Sequence, residues 1–352
     1  MGYRIALLPG DGIGPEVVDA TVPVLETVGE SNGISFEYTR FDWGSSRYLD
    51  QGSMLPGDAP DQLRGFDAIL HGAMGDPSVP DHISSREGHL SIRKAFDHYL
   101  NLRPAYLYNA EMSPLTGYRN GAVDIEWYRE NTEGEYLDVG GRLNRGGATE
   151  MAIQSAVYTR DGIERVVRAA FDAAESRSGR LTSVTKSNAL SHTPVFWDEI
   201  VAEISREHPT VPIEELHVDA AALALVERPD SFDVVVAPNL YSDILTDLTA
   251  GITGGIGLAP SANLNPNDEG VPGMFEPVHG SAPDIAGRGI ANPIAEILSA
   301  AMMLEDLGEE TASAKIETVV AEHLVDADAP RTPDLGGRDS TEDVVTDLVR
   351  RV

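Results

Sequence analysis

The sequence predicts an α/β protein with two domains and a largely parallel sheet. After Arg160, short apolar runs alternate with longer amphipathic segments, and this alternation is typical of βαβ units whose helices cover a sheet. The chain of 352 residues is long enough for two domains of ordinary size. Several polar residues directly follow the predicted strands, where open α/β sheets bind their ligands.

The N-terminal half contains five predicted strands, at residues 3–8, 34–38, 68–70, 101–104 and 123–128. The second and third are expected to be buried. Residues 10–16, GDGIGPE, follow the first strand, and Pro15 predicts the first turn of a helix reaching about Val28. The third glycine of a Rossmann fingerprint would fall on Pro15, so that fingerprint fails. Residues 75–87 are predicted to form a long loop before a helix that carries Arg93 and Lys94.

The C-terminal part continues the alternation and then becomes helical. Strands are predicted at 181–185, around 216–218 and at 232–237, with helices at 161–176, 193–205 and 219–227. A glycine-rich link at 251–257 is a candidate return between domains. Helices at about 292–305, 312–324 and 341–351 close the chain.

The composition favours a cytoplasmic protein and argues against a nucleic-acid partner. The formal net charge of −31 is spread along the chain, whereas phosphate contacts need a basic surface. No apolar run approaches membrane-spanning length, and the start lacks a signal-peptide pattern. Lysines occur only at 94, 186 and 315, and a dispersed acidic, lysine-poor surface suits a high-salt, halophilic cytoplasm. The absence of cysteine excludes a thiolate nucleophile or Cys-ligated metal.

Asp243 and Asp247 form a candidate metal site in a helix that follows the apolar run 232–237. Their spacing of four residues puts both carboxylates on one helix face, where they repel unless a cation lies between them. Mg²⁺ and Mn²⁺ prefer oxygen ligands of this kind. A solvated acidic face is the alternative in so acidic a chain.

Other charged residues also end predicted elements. Lys186, Asp219 and Asn239 each lie just beyond a strand, and this shared placement favours the metal interpretation of the neighbouring acids. Arginines at 93, 103 and 129 also end elements, which suggests that their guanidinium groups bind an anion. Three ordinary surface arginines are the alternative.

The motifs together resemble the β-decarboxylating dehydrogenases, a family that includes the isopropylmalate, isocitrate, homoisocitrate, tartrate and D-malate enzymes. The matching segments follow the family's order over nearly the whole chain: GDGIGPE, IRK…NLRP, RENTEGEY, TKSNAL, VDAAA, NLYSDILTD and EPVHGSAPDIAGRGIANP. The resemblance implies a non-Rossmann fold of two domains, with active sites shared across a homodimer or higher homo-oligomer. Residues 1–99 and 255–352 would form the cofactor-binding domain. Residues 100–254 would form the dimerisation and substrate–metal domain, with a clasping arm at about 134–158.

The resemblance also implies roles for single residues. Arg93, Arg103 and Arg129 would hold the carboxylates of a malate-like substrate, and Asp219, Asp243 and Asp247 would bind Mg²⁺ or Mn²⁺. Lys186 would be the general base and Tyr136 the acid that protonates C3, with Lys186 and Asp219 supplied by the partner subunit. In such enzymes hydride leaves C2 for the nicotinamide, and the metal stabilises the enolate formed as CO₂ departs.

The cofactor loop is expected at residues 279–284, with Asn292 near the adenine. Its candidate ligands are His279, Gly280, Ser281, Ala282 and Asp284. Asp284 would accept hydrogen bonds from ribose hydroxyls and repel a 2′-phosphate, which favours NAD over NADP.

The substrate is less sharply predicted than the reaction. Isopropylmalate enzymes have an apolar lining before Arg93, whereas the corresponding positions here are His89, Leu90 and Arg86, a more polar lining. His89 and Arg86 are further candidates for substrate contact. This favours D-malate or tartrate, with 3-isopropylmalate as the alternative and isocitrate or homoisocitrate behind it. A non-catalytic regulatory subunit is disfavoured because the set of Tyr136, Lys186 and three aspartates is complete, and a metal-free Rossmann dehydrogenase because the glycine fingerprint fails.

Overall fold

The computed structural model describes residues 1–352 and contains twelve strands. In chain order these are β1 (Gly2–Gly10), β2 (Ser35–Arg40), β3 (Ala68–Ala73), β4 (Leu100–Tyr106), β5 (Asp124–Glu130), β6 (Gly140–Leu143), β7 (Met151–Gln154), β8 (Leu181–Thr185), β9 (Ile213–His217), β10 (Val234–Ala237), β11 (Pro260–Leu264) and β12 (Gly273–Pro277). Strands β6 and β7 pair only with each other.

Twelve α-helices connect and cover the strands. They are α1 (Gly14–Asn32), α2 (Ser45–Gln51), α3 (Ala59–Leu63), α4 (Asp81–Glu87), α5 (His89–Ala95), α6 (Arg160–Ser176), α7 (Thr193–Ser205), α8 (Val218–Glu227), α9 (Asn239–Thr253), α10 (Ile294–Asp306), α11 (Glu310–Val325) and α12 (Thr341–Arg351). None of them combines the length and the apolar character that crossing a membrane requires.

The chain divides into two compact units. The first unit comprises Met1–His98, Tyr106–Ala122 and Ala250–Val352. Its strands lie in the order β2-β1-β3-β12-β11, parallel except for the antiparallel pair of β11 and β12. Strand β3 is buried along its whole length, as expected for a strand with helices on both faces of its sheet.

The second unit comprises Tyr99–Ala105 and Val123–Thr249. Its strands lie in the order β4-β5-β10-β8-β9, and the pairs β5–β10, β10–β8 and β8–β9 are parallel. The buried side chains of α6 and α7, including Phe171 and Trp197, pack with residues of β8 and β10. This packing holds the carboxyl ends of the strands, and the polar residues that follow them, in fixed positions.

Strands β6 and β7 form a separate antiparallel hairpin in the second unit. All eight of their residues are exposed, including the apolar side chains of Leu143, Met151 and Ile153. Apolar side chains in such numbers on a small two-stranded element are unusual for a surface that faces only water.

The α/β class and the largely parallel pairing predicted from the sequence are confirmed, and two local predictions are wrong. Residues 81–87 form helix α4 instead of loop, because Pro80 precedes the helix and Asp81 places a negative charge in its first turn. Strand β2 is mostly exposed instead of buried, because it is the edge strand of its sheet.

Candidate active site

Asp243 is the centre of a charged cluster in the second unit. Strand β10 ends at Ala237, and α9 begins two residues later, so Asn239 and Asp243 lie on adjacent turns of one helix face. Arg129, at the end of β5, donates from Nε and Nη2 to Asn239 Oδ1 over 3.0 and 2.8 Å. Its Nη1 forms an ion pair with Asp243. Because only 2% of Arg129 is exposed, these contacts fix its guanidinium plane.

Arg103 reaches the same carboxylate from β4. Its Nη2 lies 3.4 Å from Asp243 Oδ1, and its Nη1 lies 3.9 Å from Asp247 Oδ1. The Nε group is held by Asn101 Oδ1 and Nη1 by the Thr246 hydroxyl, each at 2.7 Å. Two buried guanidinium groups therefore converge beside one pair of aspartates, an arrangement suited to a bound carboxylate.

Asp247 is the more accessible of the two acids, with 56% of its side chain exposed. Partial burial raises its pKa, and the neighbouring Asp243 adds to this, although Arg103 opposes both effects. A bound cation would favour the ionised form of the same group.

Tyr136 completes this cluster. Its hydroxyl donates to Asp243 Oδ2, and the Arg129 guanidinium lies 5.4 Å from the centre of its ring. Burial, followed by the charge of Asp243, raises the pKa of Tyr136 to about 12. The hydroxyl therefore keeps its proton near neutral pH.

Lys186 and Asp219 form a second grouping in the same unit. Lys186 follows β8, and Asp219 lies in the first turn of α8 after β9. The two side chains form an ion pair, and the hydrogen bond that Lys186 donates in this pair lowers the pKa of Asp219. Both are exposed to solvent to some degree, with 26% of the Lys186 and 68% of the Asp219 side chain accessible.

Arg93, in the first unit, is paired with Glu276, a residue that the sequence did not single out. Arg93 Nη2 contacts Glu276 Oε1, and Asn263 Nδ2 donates to the same oxygen over 2.8 Å. His71 Nδ1 lies 3.2 Å from Glu276 Oε2. Burial alone would raise the pKa of Glu276, but Arg93 and His71 hold that pKa well below its usual range.

The residues before Arg93 include both further substrate candidates. His89 lies one helical turn before Arg93 in α5, and its ring centre is 6.0 Å from that of His71 in an edge-to-face arrangement. Arg86 lies in the last turn of α4 and is exposed. His89 thus places an imidazole ring in the helix that carries Arg93, next to the aliphatic side chain of Leu90.

The predicted cofactor loop lies in the first unit and has a histidine suited to a ligand. His279 is 8% exposed, its Nδ1 is 3.0 Å from the Gly280 carbonyl, and its Nε2 is buried without a hydrogen-bond partner. Burial lowers the pKa of His279, so the ring is neutral and, with Nδ1 donating, Nε2 is an acceptor. Ser281 and Ala282 are half-buried and Asp284 is exposed. A methyl group at Gly280 would meet open space, so the backbone there is open to a ligand.

Asn292 follows this loop and is almost buried. Its Nδ2 donates to Asp334 Oδ2 over 2.9 Å, and its Oδ1 accepts from the Ile294 amide over 3.1 Å. These bonds fix the orientation of the amide before α10 begins. Asp334 comes from a distant part of the sequence, which gave no indication of this contact.

Asp11 of the GDGIGPE segment has a role that its glycine-rich setting did not suggest. Its carboxylate accepts from the Ser45 amide and hydroxyl, over 2.9 and 2.7 Å, and from the Gly75 amide over 2.9 Å. Asp11 therefore fastens the turn after β1 to the loops that follow β2 and β3.

The predicted metal ligands are gathered only in part within one chain. Asp243 and Asp247 share Arg103, whereas Asp219 pairs with Lys186. A different group of side chains has the spacing of metal ligands within one chain. It consists of Asp172, Glu175 and His208 at the surface of the second unit. A three-aspartate site that includes Asp219 therefore remains a prediction that depends on a second subunit.

Comparison with known proteins gives a single family. The family model described as isocitrate/isopropylmalate dehydrogenase matches residues 4–349. A probable tartrate dehydrogenase/decarboxylase of Bacillus subtilis (strain 168) is 46% identical, covering 99% of this chain and 98% of the relative. The 3-isopropylmalate dehydrogenase of Thermobifida fusca (strain YX) is also 46% identical, over 99% of this chain and 97% of its own. For the decarboxylating D-malate dehydrogenase of Escherichia coli (strain K12) the identity is again 46%, over 97% and 96%. Identity therefore does not choose among these substrates.

Proposed function

The chain belongs to the isocitrate/isopropylmalate dehydrogenase family of oxidoreductases, and we propose that it catalyses the NAD- and divalent-metal-dependent oxidative decarboxylation of a malate-type 2-hydroxy acid. D-Malate and tartrate are the favoured substrates. The observation that carries the proposal is the convergence of Arg103, Arg129 and Tyr136 on Asp243. These contacts support a site in which carboxylate binding, proton donation and a metal ligand would be combined.

The donor sets fit both cofactors. The half-exposed Asp247 carboxylate offers oxygen to a hard cation beside Asp243, and the buried Nε2 of His279 is an acceptor without a partner for an adenine amino group. When bound, the metal would supply Lewis-acid stabilisation of negative charge and NAD would accept the hydride. The exposed Asp284 carboxylate would disfavour a 2′-phosphate, which supports NAD over NADP.

The chain's own groups would orient the substrate and move its protons. Arg103 and Arg129 are buried and rigidly held, so they would bind a carboxylate with little loss of side-chain entropy. Tyr136 would deliver its hydroxyl proton to C3 after CO₂ has left. Lys186 would take the proton of the substrate hydroxyl as hydride leaves C2. Arg93 is the corresponding carboxylate-binding candidate of the first unit.

We propose that Lys186 and Asp219 act in the active site of a partner subunit. The support is that the two side chains pair with each other in the single chain, where 26% of the Lys186 and 68% of the Asp219 side chain is open to solvent. The exposed apolar side chains of the β6–β7 hairpin suit a clasp between two copies. The protein would then be a homodimer or higher homo-oligomer with shared sites.

The imidazole rings of His71 and His89 support D-malate or tartrate as substrate. His89 packs against His71, whose ring approaches the Glu276 carboxylate. An isopropyl group buried against these imidazole rings, one of which contacts a buried carboxylate, would leave polar groups desolvated. A hydrogen or hydroxyl at C3 would not. 3-Isopropylmalate stays the alternative, and isocitrate and homoisocitrate are less favoured.

One experiment tests both levels of the proposal. NADH formation is measured with Mn²⁺ at high salt for D-malate, tartrate, 3-isopropylmalate, isocitrate and homoisocitrate. We expect the largest kcat/KM with D-malate or tartrate. If none of the five acids reduces NAD, or if activity survives EDTA, the reaction is wrong; if 3-isopropylmalate is preferred, only the substrate assignment is wrong. His89→Leu should shift kcat/KM toward 3-isopropylmalate by about tenfold.

A further inference from the structure

The GDGIGPE segment at the start of α1 binds the predicted cofactor loop through three kinds of contact. The first is between backbones. The Ile13 amide donates to the Ser281 carbonyl over 2.8 Å. Gly12 has a positive φ of 60°, and any side chain there would collide with the same carbonyl. Glycine is therefore required for close approach of the two segments.

The second contact is apolar. Ile13, Val17 and Ala291 form a buried cluster, and Ala282, Ile285 and Ala286 pack against it from the loop. Positions 13 and 17 are one helical turn apart and share a face of α1 with Glu16. Residues 281–291 therefore pack against one face of the first turns of α1.

The third contact is made by the Glu16 carboxylate. Its Oε1 accepts from the Ala291 amide over 2.8 Å and from the Thr341 hydroxyl over 2.5 Å, and its Oε2 accepts from the Gly289 amide over 3.3 Å. Thr341, the first residue of α12, also donates its backbone amide to the Gly289 carbonyl over 3.0 Å. Residues 289–291 are thus held between the amino-terminal ends of α1 and α12.

We propose that Glu16 is a positioning residue for the dinucleotide, because it fixes the backbone that immediately precedes Asn292. This inference rests on the proposed cofactor site. A carboxylate that accepts two backbone amides and a hydroxyl organises residues that have no other regular structure. Glu16 would affect dinucleotide affinity indirectly. Its loss would not remove His279 or Asn292, which would contact the dinucleotide, but it would release the loop that carries them.

The test compares Glu16→Ala and Glu16→Gln with wild type in the full-length protein at high salt. NADH affinity is measured by fluorescence titration, and hydrogen exchange at the Gly289 and Ala291 amides is followed without cofactor. We expect the Kd for NADH to rise about tenfold in Glu16→Ala, as for loss of charge-assisted hydrogen bonds. The two amides should exchange faster. Glu16→Gln retains an acceptor and should fall between wild type and Glu16→Ala in both measurements.

Glu30→Ala is the matched control, because Glu30 is an exposed acid near the other end of α1. It should leave the Kd and the two exchange rates unchanged. If Glu16→Ala unfolds the protein, Thr341→Val removes the hydroxyl that contacts both Glu16 Oε1 and the Ala291 carbonyl, and it should raise the Kd for NADH in the same direction. A Kd within twofold of wild type in folded variants would overturn the inference. If wild type itself binds no NADH, the proposed cofactor site fails instead, and the exchange rates still report whether Glu16 holds the loop.

Discussion

The hydroxyl of Tyr136 donates a hydrogen bond to Asp243 Oδ2 over 2.5 Å. The proposed proton donor and a proposed metal ligand are thus in direct contact. Their charges are coupled, because Asp243 helps to raise the pKa of Tyr136 to about 12. Arg103 and Arg129 both lie at the other carboxylate oxygen, Oδ1, and offset its charge. Replacing any one of these groups will therefore affect the others.

Tyr136→Phe should lower kcat by about 10²-fold or more, the usual contribution of a positioned general acid. The ring is kept, so its packing over Arg129 should persist and the KM should change little. Steady-state kinetics with D-malate would measure this. Tyr38→Phe is a suitable control, because it removes a buried hydroxyl in the first unit. A kcat within threefold of wild type would exclude Tyr136 as the acid.

Lys186→Met should likewise abolish most turnover, because no base would then accept the hydroxyl proton. Lys315→Met is the matched control: it removes another of the three lysines, one whose ammonium group contacts the Arg351 carbonyl at 3.3 Å. Wild-type-like rates in Lys186→Met would remove this residue from the catalytic role.

Mixing the two inactive variants tests whether active sites are shared between subunits. In a hybrid dimer of Lys186→Met and Tyr136→Phe chains, one site would receive intact Tyr136 from one chain and intact Lys186 from the other. Random reassembly should therefore restore about a quarter of wild-type activity, since half the dimers are hybrids with one good site. If both residues act within one chain, the mixture stays inactive.

The sequence predicted the parts of the site that lie at strand ends and missed those created by distant contacts. Lys186, Asp219 and Asn239 follow apolar runs, and helix periodicity placed Asp243 and Asp247 on one face. Glu276 gave no such signal, because its partner Arg93 is 183 residues away in sequence. Only the folded structure, in which β12 pairs with β3, shows that the two residues form a buried pair.

The same limit applies to the acids of GDGIGPE. Their glycine spacing excluded a Rossmann turn, but nothing local shows that Asp11 bonds to Ser45 and Gly75 or that Glu16 bonds to Ala291. Composition even works against such assignments, since 57 acidic residues make any one of them unremarkable as a candidate. Their partners distinguish them from the solvated acids.

Removal of metal should abolish activity, and Asp247→Asn should raise the Mn²⁺ concentration for half-maximal activity by at least about tenfold. The reason is that the amide keeps the shape of the side chain but loses the charge that a hard cation prefers. Titration of the EDTA-treated enzyme with Mn²⁺ measures the effect. Asp172→Asn is the control, because Asp172 belongs to the surface group with metal-ligand spacing. A larger effect from Asp172→Asn would move the catalytic metal to that group.

His98 should make the stability of the protein depend on pH below neutrality. It is fully buried, with Nε2 2.9 Å from the Pro272 carbonyl, and burial lowers its pKa from 6.5 to about 4. Below pH 6.5 the unfolded chain takes up a proton that the folded chain refuses until about pH 4, so stability falls as the pH falls through this window.

Between pH 7 and pH 5 this one group should remove about 2 kcal/mol of unfolding free energy, from a slope approaching about 1.4 kcal/mol per pH unit. His98→Gln keeps a donor for the Pro272 carbonyl but does not titrate. Denaturant unfolding at the two pH values should therefore show a smaller loss in His98→Gln than in wild type, whatever other groups titrate in both. Equal losses in the two proteins would mean that His98 is protonated in the folded state at pH 5.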